Sequence, residues 1–147
     1  MTPYLYWLTH QFGAEAVGAY RDWYASLEKP FFAPPSWLFG VAWGLIYPLI
    51  AIAFALSLFL WRKGRLSGGF VALFVLNLAA NLTFSPTVLT FDSNLFAALH
   101  ILVVLATLIP LVAIAYRSAK IVFWLLVPYL LWGTYATMLQ LALLLLN

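Results

Sequence analysis

Four apolar stretches with almost no charge, 37–61, 70–91, 95–116 and 121–146, occupy nearly everything after the first quarter of this 147-residue chain. A helix needs about 20 residues, at roughly 1.5 Å each, to cross a ~30 Å hydrocarbon layer, and every stretch reaches that length. Inside hydrocarbon the backbone must satisfy its own hydrogen bonds, so continuous runs of this kind predict helices. The chain therefore reads as an all-α integral membrane protein, a single membrane domain over residues 1–147. At 66% hydrophobic and 7% charged residues it lies outside the range of soluble domains. It has no cysteine, which removes disulfides, thiolate metal sites and thiol catalysis together, and no metal site is expected.

The net charge of +3 has a topological explanation. Arg62, Lys63 and Arg65 follow the first stretch, and Arg117 and Lys120 lie between the third and fourth, so both groups fall on one side of the membrane. The positive-inside rule assigns that side, with loops 62–65 and 117–120, to the cytoplasm and the C-terminus to the opposite side. Basic residues confined to loops form no stripe that tracks a phosphate backbone. Nucleic acid is thus not an expected partner, whereas the lipid bilayer is.

Residues 1–24 are different in kind. Thr9, His10, Gln11, Glu15, Arg21 and Asp22 interrupt an aromatic run containing Tyr4, Tyr6, Trp7 and Phe12. The segment lacks the basic start and uninterrupted apolar core of a secretory signal. Two forms fit it: an amphipathic helix in the headgroup region, where Tyr and Trp keep one edge wet, or a short, tilted first span. In the following segment, 25–36, Pro30, Pro34 and Pro35 stiffen the backbone, and Ser36 is placed to cap the helix beginning at Trp37. An ordered lid at one membrane face is expected there.

Polar side chains at membrane depth turn toward protein, so their spacing matters. Asn77, Asn81 and Ser85 recur every four residues, as do Trp132, Ala136 and Gln140, while Trp43 and Tyr47 stand one turn apart. Such faces suit a pocket for a flat, largely apolar ligand, and they equally suit helix–helix glue with tryptophan as interfacial anchor. No Ser, His and Asp set is suggested by spacing, so classical hydrolysis is not expected. His100 is the one ionisable residue within an apolar stretch; it fits either a neutral imidazole bonded to a neighbouring helix or a haem ligand. Pro48, Pro86, Pro110 and Pro128 place a proline in every stretch, where kinks or cavities are expected. Gly40 and Gly44, continued by Ala51 and Ala55, favour close helix contact, within the bundle or in a homodimer. No internal repeat is evident, which argues against an inverted-repeat transporter.

Separated blocks carry a resemblance beyond periodicity: Trp23, Tyr24, Leu27, Lys29 and Pro30; Pro34, Pro35, Trp37, Phe39, Trp43 and Tyr47; Asn77, Asn81, Phe84 and Ser85; and Pro128, Tyr129, Trp132 and Ala136. On these the chain resembles the translocator protein family, the tryptophan-rich sensory proteins or, in animals, peripheral benzodiazepine receptors, in a bacterial-type form. The resemblance implies a five-helix transmembrane bundle in the bacterial cell membrane, with residues 1–24 as a shortened or interfacial first helix, and frequent homodimers. It also implies a pocket that accepts porphyrins (tetrapyrroles), sterols or benzodiazepine-type ligands. Carried onto this chain, Trp43 and Trp132 would contact the ligand ring, with Tyr24, Pro34, Asn81, Phe84 and Ala136 around them. Tyr47 joins them by its spacing from Trp43, and the small Ala136 would supply room.

Bacterial members are reported to promote light- and oxygen-dependent porphyrin breakdown, which would make Trp43 and Trp132 electron or radical partners of an excited porphyrin. No cofactor is required on this view, and porphyrin or haem enters only as ligand. The implied function is a membrane receptor or sensor; transport of tetrapyrrole, sterol-like or other apolar molecules, and a ligand-free scaffold, are the alternatives. The chain departs from the family in four places. His100 stands where Asp is usual, Gln140 where Asn is common, and Thr87 and Val88 where an aromatic pair often follows the Ser-Pro step. No basic residue follows Lys120, which removes the C-terminal sterol-recognition pattern and leaves only a loose match at Leu111, Tyr116 and Lys120.

Overall fold

The computed structural model describes residues 24–35 and 37–147, leaving aside the side chains at 85 and 89. Of the sequence expectations, the helix over 1–24 lies outside the described residues apart from Tyr24, as do Trp23, the Ser36 cap and the Ser85 side chain. Four long helices follow in order: α1 (Trp37–Arg62), α2 (Gly68–Phe91), α3 (Asn94–Ser118) and α4 (Lys120–Leu146). No strand occurs among the described residues. Helices α1, α3 and α4 are long and apolar enough to cross a membrane. Helix α2 contains the shorter apolar run Gly68–Phe84. Each helix continues through its proline, at Pro48, Pro86, Pro110 and Pro128.

Short links make sequential helices antiparallel neighbours. Residues 63–67 join α1 to α2 through a turn in which Gly64 takes φ 74°, a left-handed conformation that glycine adopts without steric cost. Asp92, at φ 46°, closes α2 by donating its N–H to the Val88 carbonyl at 2.8 Å. Ser67 and Ser93 then cap the starts of α2 and α3, accepting from the N–H of Phe70 at 3.1 Å and of Phe96 at 3.3 Å. Ala119 alone separates α3 from α4. Helix α3 packs extensively on α2 and α4, while α1 closes the ring against α4 and, more lightly, α2.

The burial pattern is that of a protein solvated by lipid. Ala53, Ala97 and Ala115 are fully buried, as are Leu108, Leu111, Leu126 and Leu143, while Leu45, Leu131 and Leu145 face outward at 67%, 66% and 87% exposure. Lipid tails are as apolar as leucine, so helices gain little by hiding leucine and associate through close contact at small residues and through hydrogen bonds. Gly40 and Gly44 do not provide such a contact here, since a Cβ on either would meet nothing within 4 Å among the described residues. Hydroxyls within the helices bond back to their own backbone, as Ser57 does to the Ala53 carbonyl and Thr137 to that of Gly133, both at 2.7 Å.

The segment 24–35 is tied over one end of the ring at several points. The Tyr24 hydroxyl donates to the Pro34 carbonyl at 2.8 Å, and that of Tyr135 to the Phe32 carbonyl at 2.6 Å. Asn147, at the far end of the chain, accepts from the Glu28 N–H at 3.1 Å and donates to the Glu28 carbonyl at 2.9 Å. The Lys29 ammonium donates to the carbonyls of Leu27 and Ala25, at 3.0 and 3.3 Å. These contacts put the segment, the start of α1 and the end of α4 at one end of the bundle. The basic loops after α1 and α3 lie at the other.

Candidate functional site

A single chain of hydrogen bonds runs across the middle of the bundle and touches all four helices. The Tyr47 hydroxyl on α1 donates to Asn81 Oδ1 on α2 at 3.0 Å, and Asn81 Nδ2 donates to the Tyr129 hydroxyl on α4 at 2.8 Å. Tyr129 in turn donates to Asn77 Oδ1 at 2.9 Å. Asn77 Nδ2 donates to the Val104 carbonyl and to Thr107 Oγ1 on α3, at 3.0 and 2.9 Å. Asn77 and Asn81 share a face of α2 because they are one turn apart, and Tyr129 meets both. Each amide is satisfied, as a buried polar group must be where no water competes.

Above this floor, toward the lid, lies a cavity of about 90 Å³. From α1 it receives Phe39, Trp43 and Tyr47, and from α2 Asn81 and Phe84. Ile101 and Val104 of α3 add apolar surface, while α4 contributes Trp132, Ala136, Leu139 and Gln140. The Trp43 ring stacks on Tyr47, 4.9 Å between centroids and 29° apart in plane, which locks both into one aromatic wall. Trp132 meets Phe39 edge-on at 5.7 Å and 80°. Ala136 leaves a shelf between Trp132 and Gln140, each one turn away.

Among the described residues, two buried donors at this cavity have no partner: Trp132 Nε1 and Gln140 Nε2. Gln140 is only 2% exposed. Below them every amide and hydroxyl of the floor is paired, so the cavity has a satisfied base and an unsatisfied α4 wall.

The lid packs at the cavity's outer end through a second layer. Tyr24, Phe39, Leu139 and Leu143 form a buried cluster on which Leu27, Phe32, Ala33, Trp43 and Trp132 pack. Tyr24 meets Phe39 edge-on at 4.9 Å. Burial pushes the Tyr24 hydroxyl up to about 12, so it stays a neutral donor to Pro34 across the physiological range.

Of the residues singled out from sequence, Trp43, Tyr47, Asn81, Phe84, Trp132 and Ala136 line the cavity together. Tyr24 and Pro34 do not line it; they belong to the lid layer, bonded to each other. His100 lies elsewhere, in a groove between α2 and α3 beside Ala80, Thr87 and Phe96. Its Nε2 sits 2.6 Å from the Ala80 carbonyl, which requires that nitrogen to carry the proton and donate. Phe84 lines the cavity and meets the His100 ring edge-on at 5.6 Å, linking the two places. Sequence reasoning named Phe39 and Tyr129 only among the residues that carry the resemblance, not as site residues, and did not name Leu139 or Tyr135. Phe39 lies one turn before Trp43, and Tyr129 one turn before Trp132, so spacing could have found them. Ile101 and Val104 offered no such signal, being apolar residues in an apolar helix.

The fold and the cavity define a class, an all-helical integral membrane protein with an aromatic cavity beside a lid segment at one end of the bundle. The model of the TspO/MBR family matches residues 8–146, and the chain belongs to that family. It is 36% identical over 137 residues to the tryptophan-rich protein TspO of Archaeoglobus fulgidus, covering 92% of this chain and 85% of that protein. It is 32% identical to the tryptophan-rich sensory protein of Cereibacter sphaeroides, over 79% and 71% of the two chains. To the human translocator protein it is 28% identical, over 80% and 70%.

Proposed function

We propose that this membrane protein is a receptor or sensor that takes planar, largely apolar molecules, tetrapyrroles foremost, into the cavity walled by Trp43, Tyr47, Trp132 and Ala136. The observation that carries this is the cavity itself: aromatic faces from α1 and α4, a shelf at Ala136, and a lid at its outer end. Flat apolar ligands bind where ring faces and a few polar groups converge. The names of the related sensory and translocator proteins support the receptor part of the proposal.

Size decides how binding proceeds. About 90 Å³ is less than the roughly 150 Å³ cavity that accommodates benzene in a well-studied case. A macrocycle therefore enters only if the lid layer parts from Trp43 and Trp132, and ring binding and lid opening are one event. Light-driven oxidation of a bound porphyrin, with dioxygen taking up the electrons and Trp43 and Trp132 as electron or radical partners of the excited ring, is a further step of the same proposal. The satisfied Tyr47–Asn81–Tyr129–Asn77 floor, which joins all four described helices, favours a receptor over a transporter, because a path through the bundle would have to break it. Sidedness follows from the charges: the lid and C-terminus on the non-cytoplasmic face, the loops with Arg62, Lys63, Arg65, Arg117 and Lys120 inside.

The test is quenching of tryptophan fluorescence by protoporphyrin IX in the dark, on the purified full chain and on Ala136→Trp, Trp43→Phe and Trp132→Phe. Saturable quenching at micromolar concentration that Ala136→Trp abolishes is the expected outcome. Unsaturable quenching indifferent to all three changes would overturn the proposal and leave a scaffold.

A further inference from the structure

We infer that the end of the bundle opposite the lid is a docking surface for anionic phospholipid headgroups, centred on Tyr116, Arg117 and Lys120 where α3 turns into α4. The inference is independent of the cavity and of what the cavity holds.

Charge is divided unequally between the two ends. Arg62, Lys63 and Arg65 at the α1–α2 link, with Arg117 and Lys120 at the α3–α4 link, gather five cations at one end. The acidic residues of the chain are Glu15, Asp22, Glu28 and Asp92, and none lies in or beside either link. All five basic residues are exposed. The lid end treats its cation differently, since Lys29 Nζ donates to the carbonyls of Leu27 and Ala25 at 3.0 and 3.3 Å. One end therefore commits its positive charge to the chain itself. The other presents it outward, with no carboxylate at that end among the described residues. For a protein embedded in a bilayer the fixed anions within a Debye length of such a cluster are lipid phosphates, and basic groups flanking membrane helices attract them.

The rings at this end favour a lipid over a free anion. Lys120 Nζ lies 3.3 Å from the centroid of the Tyr116 ring, and Lys63 Nζ lies 5.6 Å from that of Phe59. A ring face attracts an ammonium without neutralising it, so each lysine is held at the rim with N–H donors left for a phosphate. The aromatic surface continues from Tyr116, which meets Phe123 edge-on at 5.1 Å, to Trp124, which meets Phe123 at 5.0 Å. Tyr116, Ile121 and Trp124 are exposed at 53%, 68% and 65%. Inorganic phosphate would use the cations alone. A phospholipid uses both halves of the surface, its phosphate at Arg117 and Lys120 and its glycerol and upper acyl chains along Ile121 and Trp124. The Arg117 guanidinium adds a planar fork of donors that matches two phosphate oxygens. A zwitterionic headgroup brings its own ammonium toward the same five cations, which selects the lipid of net negative charge.

The experiment places the full chain in mixed bilayers of phosphatidylcholine and phosphatidylglycerol at equal mole fractions, with one lipid or the other brominated high on its acyl chains. Trp124 sits in the proposed surface, and its share of the fluorescence is the part that Trp124→Phe removes. Brominated phosphatidylglycerol is expected to quench that share about threefold more effectively than brominated phosphatidylcholine, and salt near 1 M to level the two. Arg117→Gln combined with Lys120→Gln should level them at low salt, whereas Lys120→Arg keeps the charge and the preference. The lipid pair and the salt series on the unaltered protein need no variant to fold, so they decide by themselves. Equal quenching by the two lipids, or a preference indifferent to salt, overturns the inference. A preference that survives loss of both Arg117 and Lys120 overturns it as well, because the lipid would then be selected elsewhere.

Discussion

Two sets of polar side chains sit on neighbouring turns of one membrane bundle and differ in a single respect. The floor, Tyr47, Asn81, Tyr129 and Asn77, has each hydrogen bond passed on to the next member. The α4 wall just above it, Trp132 and Gln140, has buried donors with no hydrogen-bond partner among the described residues. Both sets are at membrane depth and both would be scored alike by hydropathy. What separates structure from recognition here is whether the hydrogen bonds close on the protein itself. Interhelical hydrogen bonds in membranes average only about 0.6 kcal/mol each, so the floor contributes register more than bulk stability. Unpaired buried donors in the wall cost stability instead of adding to it.

The contrast can be broken most severely by filling the wall. Ala136→Trp places an indole on the shelf and should weaken protoporphyrin quenching by more than roughly a hundredfold, about 2.8 kcal/mol or more, with helicity by circular dichroism unchanged. Tyr129→Phe attacks the floor instead. It strips Asn81 of an acceptor and Asn77 of a donor, and should lower unfolding stability in detergent by about 2 kcal/mol while ligand affinity changes less than about threefold. If Tyr129→Phe abolished binding and spared stability, the division between floor and wall would be wrong.

Lid variants sharpen the comparison with smaller effects. Tyr135→Phe removes the 2.6 Å bond to the Phe32 carbonyl, worth about 1 kcal/mol, and should raise the ligand off-rate roughly fivefold in stopped-flow quenching. Alkaline pH should loosen the same lid through Tyr24. Its folded value near 12 exceeds the ordinary 10, so the neutral phenol's contribution to docking is complete below pH 10 and lost as pH rises toward 12. Absorbance titration of tyrosinate, compared between the unaltered chain and Tyr24→Phe, should show one late-titrating group that the variant lacks. The smallest effect is expected at His100. His100→Ala cuts the α2–α3 link to the Ala80 carbonyl yet should leave porphyrin affinity within about twofold, because the imidazole faces a groove outside the cavity.

Much of this molecule was legible in its sequence, for reasons particular to membranes. A backbone in hydrocarbon has one local solution for a long apolar run, so 26 residues from Trp37 to Arg62 form a helix whatever packs on them. Spacing of four likewise set Asn77 with Asn81, and Trp132 with Ala136 and Gln140, because a helix repeats every 3.6 residues. Those faces exist before any tertiary contact does. The short links at Asp92 and Ser93, and at Ala119, dictated antiparallel neighbours by length alone.

Which polar groups pair with which was decided only in three dimensions. Asn77 and Asn81 carry the same side chain at the same spacing, yet Asn81 reaches both the cavity and the floor while Asn77 is spent on Tyr129, Val104 and Thr107. His100 and the cavity residues were equal candidates by depth. Helix rotation put the imidazole in the α2–α3 groove and the indoles on the inside. Tyr24 and Pro34 became lid rather than wall because the hydroxyl of one meets the carbonyl of the other. Local sequence determines the helices and their faces, since backbone hydrogen bonds and side-chain periodicity act within a few residues. The rotation and depth at which those faces meet depend on packing among all four described helices at once, and that alone decided which donors close on the protein and which stay unpaired.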